Sequence, residues 1–274
     1  MIGYANVIKT VTRSAITLLI AGGSLSPEMA SGQPTTYSLV ALGDSLTTAF
    51  DAEGIFENLD YSWSTGTTSD PRLVSHYKHL KQMMPTADVL QENLATSGSM
   101  AAETITQVLQ MQSLHPNYVT LLSGANDLCT WIDPDLEHIQ IYKHQLIETL
   151  DYLIAHSPEV KILLVPIPNL AEVYNLGIAN HCEEKWSIFN VCQKLLSPSN
   201  TELDRQQFYT GLEQINLAIY DVAQSRQQNV KFATGVDQAR LTFDQISKID
   251  CFHPSVAGQN YLAQLTWSSG WFAH

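Results

Sequence analysis

The alternation of strand-like and helix-like segments constrains the fold of this chain most strongly. Five short runs are rich in apolar and β-branched residues, which is typical of buried strands. Five longer stretches between them carry apolar residues at spacings of three and four, as amphipathic helices do. The predicted strands are residues 37–42, 89–95, 118–123, 160–167 and 230–234, and the predicted helices are residues 71–84, 101–114, 136–156, 202–227 and 256–267.

This order of elements predicts a parallel sheet, because strands that alternate with helices are joined by crossover connections. The strand candidates are almost continuously apolar, as expected for a sheet covered by helices on both faces. We therefore predict a three-layer α/β/α fold. No repeat or linker divides residues 33–274, so we predict one domain there, with long surface excursions at residues 61–70 and 180–200.

The N-terminal segment has the pattern of a signal peptide. Lys9 and Arg13 precede a short apolar run at residues 15–25, and Pro27 follows closely. The run is about half of the roughly 20 residues that a membrane-spanning helix needs. We predict a signal peptide over residues 1–32, export to the periplasm or the medium, and no permanent membrane span.

Composition argues against several partners. The chain has 14 Lys plus Arg against 27 Asp plus Glu, a formal net charge of -13, which opposes binding to nucleic acids. Two histidine pairs, His76 with His79 and His138 with His144, lack the further ligands that a metal site needs. We expect solvated or partly packed histidines, no metal and no cofactor.

The four cysteines are Cys129, Cys182, Cys192 and Cys251, and export would permit them to form disulfides. Four cysteines allow three pairings, and the sequence alone does not choose between them. We favour Cys182 with Cys192, because a short loop closes at modest entropic cost. Cys129 and Cys251 would then pair or stay free, and four buried thiols remain an alternative.

Polar clusters follow three of the predicted strands and precede the last predicted helix. Ligands of open α/β sheets bind beyond the carboxyl ends of the strands, so we expect these clusters to share one rim. They are Gly43-Asp44-Ser45-Leu46, the run NLATSG at residues 93–98, Gly124-Ala125-Asn126-Asp127, and Asp250-Cys251-Phe252-His253.

These residue types can perform nucleophilic catalysis. Ser45 follows a strand and has the setting of a strand-to-helix turn, which can expose such a hydroxyl near a helix N-terminus. His253 can remove its proton, and Asp250 can orient the imidazole. The backbone N–H groups of Ser45 and Gly98, with the Asn126 amide, can stabilise an oxyanion. A histidine base, whose ordinary pKa is about 6.5, predicts a rate that falls at acidic pH.

The four blocks, in this order, resemble those of the GDSL or SGNH serine hydrolases. The resemblance implies a flavodoxin-like five-stranded sheet of order 2-1-3-4-5, with Ser45, Asp250 and His253 as the catalytic triad. It implies an oxyanion hole formed by Ser45, Gly98 and Asn126, and a serine esterase or lipase that needs no cofactor.

The segments at residues 62–64, 126–129 and 252–254 look most similar to the phospholipase-B-like branch of that family. The expected substrate is therefore a small-molecule or lipid ester, and first of all a phospholipid or lysophospholipid. Two alternatives remain, a carbohydrate acetylesterase and a non-catalytic glycan- or lipid-binding protein on the same scaffold.

Aromatic and acidic residues near these blocks have two interpretations each. Seven apolar residues could form an acyl-binding wall or lid, or could pack in the core. They are Ile55, Phe56, Leu59, Tyr61, Trp63, Trp131 and Trp186. The run Asp133-Pro134-Asp135 is expected to cap a helix rather than to bind calcium.

Overall fold

A computed structural model describes residues 35–111, 115–131 and 135–273. The predicted signal peptide at residues 1–32 lies outside the described residues, as do Asp133 and the end of the helix predicted over 101–114. No helix in the described ranges is long and apolar enough to cross a membrane.

The core of the molecule is a five-stranded parallel sheet of order β2-β1-β3-β4-β5. This confirms the predicted sheet order. Strand β1 lies between β2 and β3. The residues that follow its carboxyl end therefore have a neighbouring strand on each side. The strands are β1 (Thr36–Gly43), β2 (Asp88–Asn93), β3 (Tyr118–Leu122), β4 (Lys161–Val165) and β5 (Val230–Phe232).

Helices flank the sheet, which confirms the predicted three-layer α/β class. They are α1 (His76–Met83), α2 (Ala101–Gln110), α3 (Ala125–Thr130), α4 (Leu136–His156), α5 (Leu170–Ala179), α6 (Glu183–Phe189), α7 (Gln193–Leu196), α8 (Glu202–Gln224) and α9 (Val256–Ser269). Side-chain caps fix several helix starts. The Asp135 carboxylate accepts from His138 N–H at the start of α4, and Ser75 Oγ accepts from Lys78 N–H at the start of α1.

The segment after β1 differs from the prediction, because Ser45 is followed by irregular turns and not by a helix. Thr47 N–H and Thr48 N–H both donate to Asp44 O, which begins a helical turn. The turn does not continue, since Ala49 and Asp51 have φ values of 55° and 55°. Non-glycine residues seldom adopt this left-handed conformation, and it is incompatible with an α-helix.

The disulfides also differ from the favoured pairing. Cys129 bonds to Cys192, and Cys182 bonds to Cys251. The prediction of a Cys182–Cys192 bond was wrong because the segment between these residues includes α6. A helix of that length spans about 10 Å, whereas disulfide-bonded Cα atoms lie within about 7 Å.

His76 is fully buried and contributes to the core. Its Nδ1 lies 2.9 Å from Tyr118 Oη, and its Nε2 lies 2.8 Å from Thr266 Oγ1. The Thr266 hydroxyl donates to Leu262 O, so Nε2 is the protonated nitrogen and Nδ1 accepts from Tyr118. Burial lowers the pKa of His76 to about 3. His79, its predicted neighbour on the helix, instead stacks its ring on Trp267.

Candidate active site

A pocket of about 400 Å³ opens beyond the carboxyl ends of the strands. All five residues that the sequence singled out line it: Ser45, Gly98, Asn126, Asp250 and His253. The turn after β1, the loop after β2, the start of α3 and the loop before α9 supply them. The four polar blocks therefore meet at one rim, as the order of strands predicts.

Ser45 and His253 are in hydrogen-bond contact. Ser45 Oγ lies 2.8 Å from His253 Nε2, and both residues are buried. On its other side the imidazole Nδ1 contacts the Asp250 carboxylate. When Nδ1 donates its proton to Asp250, Nε2 carries a free lone pair that can accept the Ser45 proton.

Asp250 is held in its ionised form. Its Oδ1 accepts from the backbone N–H groups of Phe252, at 2.9 Å, and His253, at 3.1 Å. Burial raises the pKa of Asp250, but the hydrogen bond and charge of His253, together with these N–H groups, lower it below its ordinary value. Hydrogen bonds to a charged carboxylate favour that charged form.

The loop that carries Asp250 and His253 is fixed at several points. Ser247 N–H donates to His253 O at 2.7 Å. The Trp186 indole N–H donates to Cys251 O at 3.0 Å, and the Cys182–Cys251 disulfide holds the same residue. The relative position of the acid and the imidazole therefore depends on long-range links as well as on the local turn.

The candidate oxyanion donors converge on the pocket. Within the described residues, the N–H groups of Ser45 and Gly98 have no hydrogen-bond acceptor. Asn126 Nδ2 donates one hydrogen to Ser99 O at 2.9 Å, which leaves its second N–H available. Gly98 has a φ of 83°, a conformation that residues with a Cβ rarely adopt.

The turn that carries Ser45 is held in place by Gln107 of α2. The Gln107 side chain accepts from Gly43 N–H at 2.9 Å and donates to Gly43 O at 2.8 Å. Gly43 is required here, because a Cβ would lie 2.0 Å from Leu122 O. The sequence carried a signal for Gln107, since it is a polar residue on the buried face of an amphipathic helix, but its role was missed.

Two buried aspartates flank the site. Asp44 accepts from Leu46 N–H at 3.0 Å through Oδ1, while its Oδ2 has no partner among the described residues. Burial raises the pKa of Asp44 to about 7, although the Leu46 N–H lowers it. Asp127 accepts from Ala101 N–H at 2.9 Å, and burial raises its pKa to about 6. Asp127 thereby ties the Asn126 block to the segment that follows Gly98.

Asp51 is a fourth acidic residue at the site, after Asp250, Asp44 and Asp127, and sequence reasoning missed it. It is 3% exposed and lies in the irregular turn after Ser45. One carboxylate oxygen each of Asp51 and Asp250 and one ring nitrogen of His253 lie within 4.8 Å of one another. No pattern in the sequence marks this residue, because an isolated aspartate in a loop is usually exposed.

The aromatic residues near the site divide between the two interpretations. Phe56 and Phe189 line the pocket and are exposed, so they form part of its wall. Trp63 and Trp186 are fully buried and belong to the core. Trp131 is partly buried and packs beside His138.

Comparison with known proteins places this site in a family. The model of the GDSL-like lipase/acylhydrolase family matches residues 39–266, which is most of the chain. No curated protein sequence matches the chain.

Solved structures share the fold at low sequence identity. A lipase from a goat rumen metagenome is 15% identical with a TM-score of 0.57, over 86% of this chain and 98% of that one. Phospholipase A1 from Streptomyces albidoflavus NA297 is 16% identical with a TM-score of 0.51, over 85% and 99%. An extracellular lipase from Streptomyces rimosus is 17% identical with the same TM-score of 0.51, over 85% and 99%. Taken with the family match, these findings show that the chain belongs to the GDSL-like lipase/acylhydrolase family and is a serine ester hydrolase.

Proposed function

We propose that Ser45 is the nucleophile of this hydrolase, that His253 is its general base and that Asp250 orients the imidazole. The observation that carries the proposal is the 2.8 Å contact between Ser45 Oγ and His253 Nε2. It is supported by the contact of Asp250 with the opposite ring nitrogen. A serine hydroxyl is a weak nucleophile until a base removes its proton, and this arrangement supplies that base.

The first half of the reaction forms an acyl-enzyme. Ser45 Oγ attacks the ester carbonyl carbon while its proton moves to His253 Nε2. The negative charge on the carbonyl oxygen is stabilised by the N–H groups of Ser45 and Gly98 and by the Asn126 amide. The bond to the alcohol then breaks, and the imidazolium returns its proton to the departing alkoxide oxygen.

The second half releases the acid. Water attacks the acyl carbon while His253 Nε2 accepts one of its protons, and the same oxyanion donors stabilise the new tetrahedral intermediate. When that intermediate breaks down, the imidazolium protonates Ser45 Oγ. Every proton transfer uses residues of this chain.

We further propose that the substrate is a lipid ester. Four aromatic rings line the pocket beside the polar groups, and an acyl chain gains free energy by burial against apolar surface. They are Phe50, Phe56, Phe189 and Phe252. The similarity in fold to a phospholipase A1 and to an extracellular lipase also supports a lipid substrate.

Export is part of the proposal. The segment 1–32 has a signal-peptide pattern, and residues 33–274 would form the mature single domain. The two disulfides support this destination, because disulfides persist in oxidising compartments.

A chromogenic ester series of increasing acyl length tests the substrate class. We expect kcat/KM to rise from acetyl to medium-chain esters in the wild type, and activity to be lost in Ser45→Ala. The matched control is Ser97→Ala, since Ser97 lines the same pocket but contacts Thr48 Oγ1 at 2.8 Å. Activity confined to acetyl esters would contradict a lipid substrate.

A further inference from the structure

Asp51 lies close to the acid–base pair although it belongs to a different segment. Its carboxylate lies within 4.8 Å of both an Asp250 carboxylate oxygen and a ring nitrogen of His253. Asp51 and Asp250 are almost completely buried, and His253 nearly so. The carboxylates of Asp51 and Asp250 therefore both lie close to the imidazole of His253.

The structure holds Asp51 firmly in this position. Phe56 N–H donates to Asp51 Oδ1 at 2.7 Å, and Asp51 N–H donates to Phe56 O at 2.8 Å, which closes a short loop. Ser247 Oγ donates to Asp51 O at 2.6 Å, and Ser247 N–H donates to His253 O. Ser247 thus links the backbone of Asp51 to the segment that carries the imidazole.

Asp51 also has an unusual backbone conformation, with a φ of 55°. Aspartate and asparagine tolerate this left-handed region better than other residues that carry a Cβ. The conformation turns the chain after the nucleophile and places a carboxylate in the wall of the pocket.

We propose that Asp51 is a second carboxylate of the acid–base centre, which stabilises the His253 imidazolium during proton transfer from Ser45. This inference rests on the proposed function of Ser45 and His253. Within the described residues, the Ser45 Oγ hydrogen bond goes to His253 and not to Asp51, so Asp51 is a positioning residue that acts electrostatically through the imidazole. Asp250 orients the ring by its hydrogen bond, and Asp51 adds a fixed negative charge nearby.

The physical basis is the attraction between opposite charges in a buried site. A carboxylate within about 4–6 Å of an imidazole favours its protonated form. Burial raises the pKa of Asp51 and the charge of Asp250 adds to this, whereas the Phe56 N–H and the charge of His253 lower it by less, so the pKa lies above its ordinary value. The attraction between the Asp51 carboxylate and the imidazolium is mutual, so each charge stabilises the other. The imidazolium forms in both halves of the reaction, and the transition state therefore gains from the second charge.

Besides Asp51, two other carboxylates within the described part of the chain interact with the imidazole. Asp250 contacts it directly, and Asp44 in the turn that carries Ser45 interacts with it through its charge. Glu57 and Asp250 interact with Asp51 itself. The pH dependence of activity therefore reflects the charges of Asp44, Asp51 and Asp250 together. Single substitutions separate the three contributions.

The test compares pH profiles of kcat and KM for a short chromogenic ester in the wild type, Asp51→Asn and Asp51→Gly. Both substitutions remove the charge and suit a positive φ, and Asn keeps an acceptor for Phe56 N–H. We expect kcat/KM at pH 8 to fall about tenfold, mainly through kcat. We also expect the midpoint of the acid limb to move about one pH unit lower, because the imidazolium loses a stabilising charge.

The matched control is Glu53→Gln, which removes an exposed carboxylate from the same loop. It should leave both kcat and the acid limb unchanged. An acid limb at the wild-type position in both Asp51 variants would overturn the inference, even if activity falls, because a merely structural role lowers activity without moving the limb. Ester hydrolysis that persists in Ser45→Ala would instead overturn the proposed function itself.

Discussion

His253 Nε2 lies 2.8 Å from Ser45 Oγ although the two residues are 208 positions apart. Ser45 follows strand β1, and His253 precedes helix α9. The contact therefore exists only when nearly the whole chain has folded, because the intervening strands and helices must first assemble. Interactions that stabilise the fold near this contact should therefore affect both the rate of ester hydrolysis and the free energy of unfolding.

The oxyanion hole should depend on Asn126. Replacing it by Ala removes an amide donor whose direction is set by Ser99 O. We expect kcat to fall by about 10²–10³ with little change in KM, since the donor acts on charge that develops in the transition state. Steady-state ester hydrolysis measures this. Asn180→Ala, at an exposed position, serves as the control, and a KM effect without loss of kcat would refute the assignment.

Asp44 should make the protein less stable as the pH rises. Burial raises its pKa from 3.8 to about 7, so ionisation opposes folding between those values. The difference in free energy of unfolding between the wild type and Asp44→Asn then favours the wild type most below about pH 4. This advantage decreases as the pH rises towards 7. The full effect is on the order of 4 kcal/mol.

Urea unfolding of both proteins between pH 4 and pH 8 measures that difference. As the pH rises over this range, the free energy of unfolding of the wild type should fall relative to that of Asp44→Asn. Exposed Asp221→Asn is the control and should show no such trend. A constant difference between wild type and Asp44→Asn would show that the carboxyl ionises without cost.

His76 should make the fold sensitive to acid. Its pKa is lowered to about 3 from 6.5, so protonation favours the unfolded chain. The stabilising contribution of neutral His76 is present above about pH 6.5 and is lost as the pH falls towards 3. The unfolding free energy of His76→Gln should lie roughly 1–3 kcal/mol below that of the wild type at pH 7.5, through imperfect replacement of two buried hydrogen bonds.

The gap between His76→Gln and the wild type should narrow as the pH is lowered from 7 to 4, measured by thermal or denaturant unfolding. His144→Gln, at an exposed position of α4, should follow the wild type throughout. A gap that stays constant over this range would mean that His76 does not resist protonation in the folded protein.

The two disulfides should affect activity unequally. Each closes a loop of similar length, 63 and 69 residues, so loss of either should cost about 4 kcal/mol by the chain-entropy argument. Only the second holds Cys251, which lies between Asp250 and His253 in the chain. The double variant of Cys182 and Cys251 to Ala should therefore lose more kcat than its counterpart at Cys129 and Cys192.

Activity of these two double variants should be compared at a temperature where circular dichroism shows that both are folded. Equal loss of kcat would show that the acid–base loop keeps its geometry without the disulfide. The Trp186 indole, which donates to Cys251 O, would then suffice to hold the loop.

The sheet and the principal site were predictable because they depend on patterns that repeat along the chain. Continuous apolar strands between amphipathic helices define a parallel sheet, and the polar residues after those strands must share an edge. The resemblance of four sequence blocks to a known family then gave the sheet order and pointed to Ser45, Asp250 and His253. The structure brings these residues together, while their catalytic roles remain predictions.

Features that depend on local backbone conformation were not predictable. The helix expected after Ser45 is absent because Ala49 and Asp51 take a left-handed conformation, which no residue pattern signalled. The disulfide pairing was missed because α6 separates Cys182 from Cys192, and a seven-residue helix within an irregular-looking segment left little periodicity to read. Asp51 lies near His253 because of the path that its loop takes, and no sequence pattern indicated that path.

The most direct test of the central claim is to identify the residue that a fluorophosphonate probe modifies. Such a probe phosphonylates a serine oxygen only when a neighbouring base activates it. Tandem mass spectrometry of the digested wild type should place a single adduct on Ser45, and the adduct should be absent from Ser45→Ala and present in Ser97→Ala. An adduct on another serine, or labelling that persists in Ser45→Ala, would contradict the account.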